Sequence, residues 1–491
     1  MATDKAAYSG FDKQFIAGEW REGGSAKEAP DIDPYTGQTL TTIRLASRDD
    51  VDQAYAAAIE AQREWGEAAP ARRAGVIAEA GRILAERQDE IVDWLIHESG
   101  SARFKAGFEA GLVAGAAPLQ AAMPYRAHGL IKPSDVPATE NRVLRQALGV
   151  ITVISPWNFP FILSMRSVMP ALALGNSVVL KPASDTPVTG GLLVAKVLEE
   201  AGLPKGLLSV VVGSGGEVGD YLVEHEAPRL ISFTGSSEVG QHVGAVAVGG
   251  RRLKRISLEL GGNAPFVVLD DADVEQAAVA AVFGRFLHQG QICMSTNRII
   301  VDASIHDQFV EAFVEHARGL KYGDPADPEV LVGPIINKSQ LDGLVAKIAQ
   351  TRAEGGVQLL GGEPQGQVLP PHVFTEVTQS MVLAREETFG PLAPIIRAAD
   401  EADALAMAND TEYGLSSAVF SGDIERAVQF GARIEAGMTH VNDQTVGDEA
   451  HVMFGGEKNS GLGRFNDEWV IEEFTRTHWL AVNRGPVGYP V

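Results

Sequence analysis

Apolar residues recur at helical spacing twice within the first hundred residues. The first set is Val51, Ala54, Tyr55, Ala58 and Ile59. The second set is Ile77, Ala80, Leu84, Ile91 and Leu95. Pro70 precedes the second set and Gly100 follows it, so the spacing predicts two helices, the second running from Pro70 to about Gly100. The stretch Leu130–Arg145 contains two prolines and no helical period, which favours an extended arm.

From Leu148 onward, short β-rich runs alternate with helix-like segments. The predicted strands are Gly149–Ile154, Ser177–Leu180, Leu208–Val212 and Arg229–Phe233, and the predicted helices between them include Thr189–Ala201 and Glu217–Glu224. Such alternation predicts a mostly parallel sheet, whose ligands bind beyond the carboxyl ends of its strands. Later strands are predicted at Phe266–Leu269, Ile299–Val301 and Val419–Phe420. The sequence therefore predicts an α/β fold with a second α/β unit.

Composition narrows the class of protein. A chain of 491 residues is too long for one ordinary core, so we expect two or three domains. The net charge of −23 argues against binding to nucleic acid or to an anionic membrane. No apolar run approaches the roughly 20 residues of a membrane helix, and Met1–Gln14 lacks the apolar core of a signal peptide, so we expect a cytoplasmic protein. The single cysteine excludes an internal disulfide and a cysteine-rich metal site, and we expect no bound metal.

Three predicted strand ends carry residues suited to a dinucleotide. The glycine-rich string Gly213–Gly219 resembles a dinucleotide fingerprint with its third glycine one residue late, and an ordinary turn explains it equally well. In Phe233–Gly240, backbone N–H groups near Ser236 could hold a pyrophosphate, although Ser236 could also be a plain helix N-cap. Lys181 could bind a ribose hydroxyl or phosphate, or it could be a solvated lysine.

Three other residues are candidates for catalysis. Cys293 is followed by Ser295, Thr296 and Asn297, a pattern that favours a loop entering a helix, whose dipole would stabilise the thiolate; a buried apolar cysteine is the alternative. Glu259 ends an apolar strand, where burial would raise its pKa toward the range of a general base, unless it only forms an ion pair.

Asn158 is the third of these candidates. It lies between Pro156 and Pro160, which could aim its amide at a developing oxyanion, or it could simply form a turn.

Seven motifs occur in one order along the chain: SPWNFP, LKPAS, FTGSSEVG, LELGGN, GQIC, EETFGP and FGGEKNSGLGR. From about Phe15 to Trp479 the chain resembles the aldehyde dehydrogenase superfamily. The resemblance implies a Rossmann-like NAD(P)-binding domain at 1–120 and 146–257 and an α/β catalytic domain at 258–470. It also implies a small β oligomerisation domain at 121–145 and 471–491, and a homodimer or homotetramer.

The resemblance also implies a role for each matching residue. Cys293 would be the nucleophile that forms a thioester, and Glu259 the base that activates water to hydrolyse it. The side chain of Asn158 and the Cys293 N–H would form the oxyanion hole. Lys181 and Glu387 would hold the two riboses, Ser236 and its neighbours the pyrophosphate, and Phe389 would lie beside the nicotinamide. The predicted cofactor-binding residues are Ile154, Ser155, Pro156, Trp157, Lys181, Ser184, Gly215, Gly219, Phe233, Thr234, Gly235, Ser236, Val239, Leu260, Glu387 and Phe389.

Two positions bear on the choice of coenzyme and on the fate of the thioester. Many NAD-preferring relatives have a glutamate where this chain has Ser184, and a carboxylate there repels a 2′-phosphate. We therefore expect NADP to be accepted, alone or alongside NAD. Glu259 is present, whereas relatives that transfer the acyl group to coenzyme A tend to lack it, so we expect hydrolysis to the acid.

The substrate side of the site favours an aromatic aldehyde. The segments WNFPFILSMRSVMPALALGN and GQICMSTNRIIVD are most similar to those of benzaldehyde- and vanillin-type dehydrogenases. The predicted substrate-binding residues are Phe161, Met165, Arg166, Ile292, Met294 and Phe454. An alternative is a semialdehyde dehydrogenase in which Arg166 binds the substrate carboxylate, unless Arg166 is tied to a local carbonyl or carboxylate. A non-enzymatic protein would be expected to lack the nucleophile or the base, and a cofactor-free thiol esterase need not retain Lys181 and Glu387.

Overall fold

The structure, a computed structural model, describes residues 6–486 and residue 489. The strands are β1 (Gln14–Ile16), β2 (Glu19–Arg21), β3 (Glu28–Ile32), β4 (Thr39–Arg44), β5 (Leu130–Lys132), β6 (Thr139–Ala147), β7 (Val150–Ile154), β8 (Ser177–Lys181), β9 (Leu208–Val210), β10 (Pro228–Thr234), β11 (Arg255–Glu259), β12 (Ala264–Val268), β13 (Thr296–Asp302), β14 (Val357–Leu360), β15 (His372–Thr375), β16 (Leu392–Ala398), β17 (Tyr413–Gly414), β18 (Ser416–Phe420), β19 (Met438–Val441), β20 (Glu457–Lys458), β21 (Gly461–Leu462) and β22 (Thr475–Asn483).

The α-helices are α1 (Arg48–Glu67), α2 (Pro70–Glu86), α3 (Gln88–Ser99), α4 (Arg103–Arg126), α5 (Pro160–Ala173), α6 (Leu193–Glu200), α7 (Asp220–Glu224), α8 (Ser237–Gly249), α9 (Val274–Phe286), α10 (His306–Arg318), α11 (Lys338–Ala353), α12 (Val382–Arg385), α13 (Glu401–Asn409), α14 (Ile424–Gly431) and α15 (Asp467–Phe474). Short π-helical turns cover Val188–Leu192 and Gly215–Gly219, and a 3₁₀ turn covers Leu287–Gly290. Among the described residues, no helix is both long and apolar enough to cross a membrane.

Two mixed sheets form the centre of the molecule and confirm the predicted α/β class. The first has the strand order β2-β1-β9-β8-β7-β10-β11-β21, and its five central strands are parallel. The second has the order β14-β15-β16-β13-β12-β18-β19 and is parallel except for β14. The predicted strands of both α/β units lie in these sheets. Parallel strands place their carboxyl ends along one edge, where the first sheet presents Lys181, Thr234 and Glu259. The candidate residues near the second sheet instead precede its strands, Cys293 before β13 and Glu387 and Phe389 before β16.

A separate three-stranded antiparallel sheet pairs β22 with β6 and β6 with β5. It confirms that the stretch Leu130–Arg145 is an extended arm. The implied oligomerisation segment 121–145 begins inside α4, which continues to Arg126 before the chain extends at β5. In the C-terminal segment 471–491, residues 487, 488, 490 and 491 lie outside the described residues, and the proposed domain boundaries stay a prediction.

The predicted second helix is in fact two helices. The chain breaks at Arg87, which ends α2 and precedes α3. Apolar spacing continues across this break, since Ile83, Leu84, Ile91 and Leu95 all enter the same core. The apolar periodicity therefore gives no sign of the boundary between α2 and α3. Gly100 ends α3 as predicted, in the left-handed conformation at φ 64° that glycine adopts readily.

The largest core lies between the first sheet and the helices packed on it. α5 is almost entirely buried in this core, which fixes the loop that precedes it. A second core fills the space between the other sheet and the helices α9 and α10. The candidate site lies where the two units meet, since Glu259 ends β11 of the first sheet and Cys293 precedes β13 of the second.

Candidate active site

The thiol of Cys293 faces the carboxylate of Glu259. Its Sγ donates a hydrogen bond to Oε1 of Glu259 over 3.9 Å. Glu259 is 1% exposed, whereas Cys293 is only half-buried and lines cavities on both of its sides. Gly262 makes the approach possible, because a side chain there would collide with the backbone carbonyl of Cys293. The only thiol of the chain is therefore reachable and lies in contact with a buried carboxylate.

The predicted helix after Cys293 is wrong. The chain passes from the 3₁₀ turn Leu287–Gly290 through a short loop into β13, so no helix dipole acts on the thiol. Ser295 and Thr296 resemble helix-capping residues, but the β-branched run that follows them forms a strand. Burial, with the negative charges of Glu259 and Glu387, raises the pKa of the Cys293 thiol well above its ordinary value. The thiol therefore needs a base to lose its proton.

Glu259 is suited to accept that proton. Burial raises the pKa of its carboxyl above the ordinary value, and the Arg166 guanidinium opposes the rise. Nη1 of Arg166 lies 3.5 Å from Oε2, and Thr234 donates a hydrogen bond to the same oxygen over 3.4 Å. A carboxylate with a raised pKa is a better proton acceptor at neutral pH than an exposed one.

Asn158 is the third candidate catalytic residue near the thiol. It is 4% exposed and lines both cavities that Cys293 lines. Its side-chain Nδ2 donates a hydrogen bond to the backbone carbonyl of Gln291 over 3.0 Å, which ties it to the loop that carries Cys293. The second hydrogen of an amide nitrogen stays available for an oxyanion.

A cavity of about 380 Å³ opens on one side of Cys293. It is lined by Pro156, Trp157, Asn158, Leu163, Thr234, Gly235, Ser236, Leu260, Gly261, Cys293, Ser339, Gln340, Gly343, Leu344, Lys347, Glu387 and Phe389. Many of these follow strands of the first sheet, as expected for ligands at the carboxyl ends of parallel strands. The structure thus brings together eight of the residues predicted to bind the cofactor.

The residues around this cavity fit a nicotinamide dinucleotide. Ser236 is the N-cap of α8, and with Thr234 and Gly235 it turns the helix N-terminus toward the cavity, where a pyrophosphate would be stabilised. Burial raises the pKa of Glu387 to about 7, and Gly262 donates a backbone hydrogen bond to it over 2.6 Å. The rings of Trp157 and Phe389 meet edge to face at 5.8 Å.

Lys181 ends β8 and is 6% exposed, so it is not a solvated lysine. Burial lowers the pKa of its ammonium to about 8. Its Nζ donates to the carbonyl of Pro182 over 3.3 Å, which leaves donors for ribose hydroxyls. A buried ammonium with so few protein acceptors is costly unless a ligand completes its hydrogen bonds.

Neither Lys181 nor the remaining cofactor candidates are in the wall of this cavity. Gly215 and Gly219 form the π-helical turn after β9, and Ser184 is exposed in the turn after β8. The others are Ile154, Ser155, Phe233 and Val239, of which Ser155 and Phe233 are buried, Ile154 half-buried and Val239 exposed. Their roles stay predictions.

A smaller cavity opens on the other side of Cys293. It is lined by Phe108, Leu112, Asn158, Phe159, Ile162, Leu163, Arg166, Glu259, Ile292, Cys293, Met294, Val446, Asp448 and Phe454. Its volume is about 30 Å³. An engineered cavity that binds benzene measures about 150 Å³, so an aldehyde enters here only when lining side chains move.

Two of the predicted substrate residues are not in this wall. Phe161 is completely buried in the main core, and Met165 lines a different cavity between α4 and α5. Their neighbours Ile162 and Leu163 face the substrate side instead, because successive residues of α5 point about 100° apart. Phe108, Val446 and Asp448 were missed, since they lie outside every motif.

Arg166 is tied to carboxylates of the protein itself. Its Nη2 forms an ion pair with Asp448, and its guanidinium lies 4.2 Å from the ring centre of Phe454. Together with the contact to Glu259, these partners account for a buried arginine without a substrate carboxylate. The sequence left open whether Arg166 binds a carboxylate of the protein or of the substrate, and the structure shows an ion pair within the protein.

The fold and the site define an NAD(P)-dependent oxidoreductase with a thiol at the junction of two α/β units. The model of the aldehyde dehydrogenase family matches residues 20–480. The chain belongs to this family. Its sequence is 53% identical to a vanillin dehydrogenase of Corynebacterium glutamicum, over 98% of this chain and 99% of that protein. It is 47% identical to a benzaldehyde dehydrogenase of Bacillus subtilis, over 98% and 99% of the two chains.

A solved structure gives the same result. An NAD-dependent benzaldehyde dehydrogenase of Corynebacterium glutamicum superposes with a TM-score of 0.90 at 49% identity, over 98% of each chain. The two-unit α/β fold is therefore shared along nearly the whole length of both proteins.

Proposed function

We propose that this enzyme oxidises an aromatic aldehyde of the benzaldehyde or vanillin type to its carboxylic acid. The observation that carries the proposal is the 3.9 Å contact between the Cys293 thiol and Glu259, at the point where the two cavities meet. The large cavity supplies room for the coenzyme on one side of the sulfur, and the small aromatic-walled cavity receives the aldehyde on the other.

The reaction begins with transfer of the thiol proton from Cys293 to Glu259. The sulfur then attacks the aldehyde carbon, and Asn158 and the Cys293 N–H donate hydrogen bonds to the oxyanion that forms. Bound NAD(P) supplies the hydride acceptor for this oxidation. The product is a thioester on Cys293, and Glu259 next loses the thiol proton to solvent. Ionised again, Glu259 takes a proton from the water that attacks the thioester. The departing Cys293 thiolate takes this proton back from Glu259 as the carboxylic acid is released. Lys181 and Glu387 hold the riboses throughout.

Three observations support an aromatic substrate. Phe108, Phe159 and Phe454 contribute rings to the wall of the small cavity. Arg166 already pairs with Asp448, so a substrate carboxylate would have to displace an existing partner. The relatives described above act, by their names, on vanillin and benzaldehyde.

A substrate panel tests this assignment. We expect kcat/KM for benzaldehyde and vanillin to exceed that for succinate semialdehyde by at least about tenfold, since a buried aromatic ring gains 1.4 kcal/mol or more over a charged chain. The assay follows formation of reduced nicotinamide with NAD and, separately, with NADP. A strong preference for the semialdehyde would instead favour the alternative in which Arg166 binds a carboxylate.

We also propose that NADP is accepted alongside NAD. Ser184 is exposed directly beyond β8 and offers no negative charge to a 2′-phosphate. Its neighbour Asp185 accepts a hydrogen bond from Asn337 over 3.1 Å, which engages that carboxylate elsewhere.

The variant Ser184→Glu should raise the Kd of NADP relative to NAD by about tenfold or more. A carboxylate near a phosphate needs only about 1.4 kcal/mol of repulsion for this effect. Fluorescence titration with both reduced coenzymes measures the ratio, and Ser184→Gln is the control that adds length without charge. Equal Kd ratios in the two variants would refute the account.

The three-stranded sheet supports the proposal of a homodimer or homotetramer. Ile131 on β5 is 75% exposed and Trp479 on β22 is 66% exposed. Large apolar side chains that project from an antiparallel arm are typical of a surface covered by another subunit. This sheet is our candidate for the oligomerisation element.

A further inference from the structure

Lys105 and Glu109 form an ion pair that the reaction described above does not use. Both side chains are 0% exposed, and Nζ of Lys105 lies 2.6 Å from Oε2 of Glu109, one turn further along α4. Removing two charges from water costs more than their attraction commonly returns, so stability alone is a weak reason for such a pair. The other contacts of Lys105 and Glu109 indicate that the pair positions a part of the site.

The ammonium of Lys105 binds the backbone of Asn158. Besides Glu109, it donates to the backbone carbonyl of Asn158 over 2.8 Å and to Oγ of Ser101 over 2.9 Å. These three bonds use all three donors of the ammonium. The ammonium also lies 4.1 Å from the ring centre of Phe159, the residue that follows Asn158.

The carboxylate of Glu109 binds the chain just after Asn158, at the start of α5. Its Oε1 accepts hydrogen bonds from the N–H groups of Phe161 over 2.9 Å and of Ile162 over 3.0 Å. These are free N–H groups of the first turn of α5, which has no side-chain cap of its own. A carboxylate at a helix N-terminus also interacts favourably with the helix dipole.

We propose that Lys105 and Glu109 are positioning residues that set the direction of the Asn158 amide toward the reacting carbonyl. The pair fixes the chain at the carbonyl of Asn158 and at the helix that begins two residues later, so the side chain between them keeps one orientation. A displacement of about 1 Å at a reacting group can cost on the order of 10²-fold in rate. The inference rests on the proposed role of Asn158 as an oxyanion donor.

A double-mutant cycle tests it in the full-length enzyme. Asn158→Ala should lower the single-turnover rate of reduced-nicotinamide formation by on the order of 10²-fold or more. Lys105→Met should lower the same rate by about 10²-fold while the Kd of NAD changes less than about twofold. If Lys105 acts through Asn158, adding Lys105→Met to Asn158→Ala should cost no further rate, because coupled residues are not additive.

Losses that multiply in the double variant would overturn the proposal, since a general structural role does not depend on Asn158. An unchanged rate in Asn158→Ala alone would instead remove the proposed oxyanion donor, which is a separate failure. Glu90→Gln is the matched control: it disrupts the Arg87–Glu90 pair, 2.8 Å long, which lies outside both cavity walls. It should lower Tm without lowering the rate.

Two further variants keep the test valid if Lys105→Met does not fold. Lys105→Met combined with Glu109→Gln removes both charges together, which avoids an unpaired buried charge and keeps an acceptor for the N–H groups of α5. Glu109→Gln alone keeps the same acceptor. Either one enters the cycle with Asn158→Ala in place of Lys105→Met. Failure of all three to fold would make the pair a folding requirement and overturn its positioning role.

Discussion

Replacing Cys293 by alanine should lower kcat by on the order of 10⁶-fold, the size of loss seen when a covalent nucleophile is removed. No other thiol exists in the chain to take its place. Without the sulfur, the aldehyde carbon forms no covalent adduct, so Asn158 has no oxyanion to stabilise and Glu259 has no thioester to hydrolyse. Formation of reduced nicotinamide with benzaldehyde measures the loss.

Coenzyme binding is the control for this variant. The Kd of reduced NAD, from fluorescence titration, should stay within about twofold of the wild type, because Cys293 is not one of the residues proposed to hold the riboses or the pyrophosphate. Cys293→Ser is the matched substitution, since it keeps the shape but offers a weaker nucleophile. Residual turnover above about one part in 10³ in the alanine variant would show that the reaction does not pass through this thiol.

Glu259→Gln should lower kcat by on the order of 10²- to 10⁴-fold, as expected for loss of a general base. Glutamine keeps the size of the side chain and its acceptor oxygen for Thr234, but it cannot accept a proton from water. Hydrolysis of the thioester becomes the slow step. The substitution also removes the Glu259 charge, one cause of the raised pKa of the Cys293 thiol, so that hydroxide can ionise the thiol at high pH. Stopped-flow measurements at pH 9 to 10 should therefore show a burst of reduced nicotinamide of about one equivalent per subunit, followed by slow turnover.

The pH profile separates the carboxylate from the thiol. Glu259 works as a base only when ionised, and burial raises its pKa, so wild-type kcat should fall as the pH falls through that raised value. The glutamine variant should lack this acidic limb. A variant that keeps the limb, or that loses burst and turnover equally at high pH, would contradict the role of Glu259 in hydrolysis.

The candidate site could be predicted where its residues lie at strand ends. Glu259, Lys181 and Thr234 each end a strand of the first sheet, and parallel strands place such residues at one edge. The apolar runs before these residues predict the strands. The sheet, and the position of these residues at one edge of it, could therefore be predicted from local patterns. The contact of Cys293 with Glu259 followed only from the family resemblance.

Long-range pairs could not be predicted in this way. Arg166 and Asp448 are 282 positions apart, and nothing near either residue indicates the other. Lys105 and Glu109 have the i,i+4 spacing of an ordinary solvated helix pair, and only the packing of α4 against α5 shows that they are buried. The strand Ile299–Val301 was predicted, but its first residues were interpreted as a helix start, because the polar residues Ser295 and Thr296 are also typical of a helix cap.

A chain with one sulfhydryl has a simple response to peroxide. Oxidation at Cys293 stops first at the sulfenic acid, which elsewhere is often trapped by a neighbouring cysteine as a disulfide. This polypeptide holds no such second cysteine, so rescue depends on an external thiol reaching the sulfur through the coenzyme or the aldehyde opening. A bound coenzyme therefore closes one of these two routes, to the oxidant and to the reductant alike.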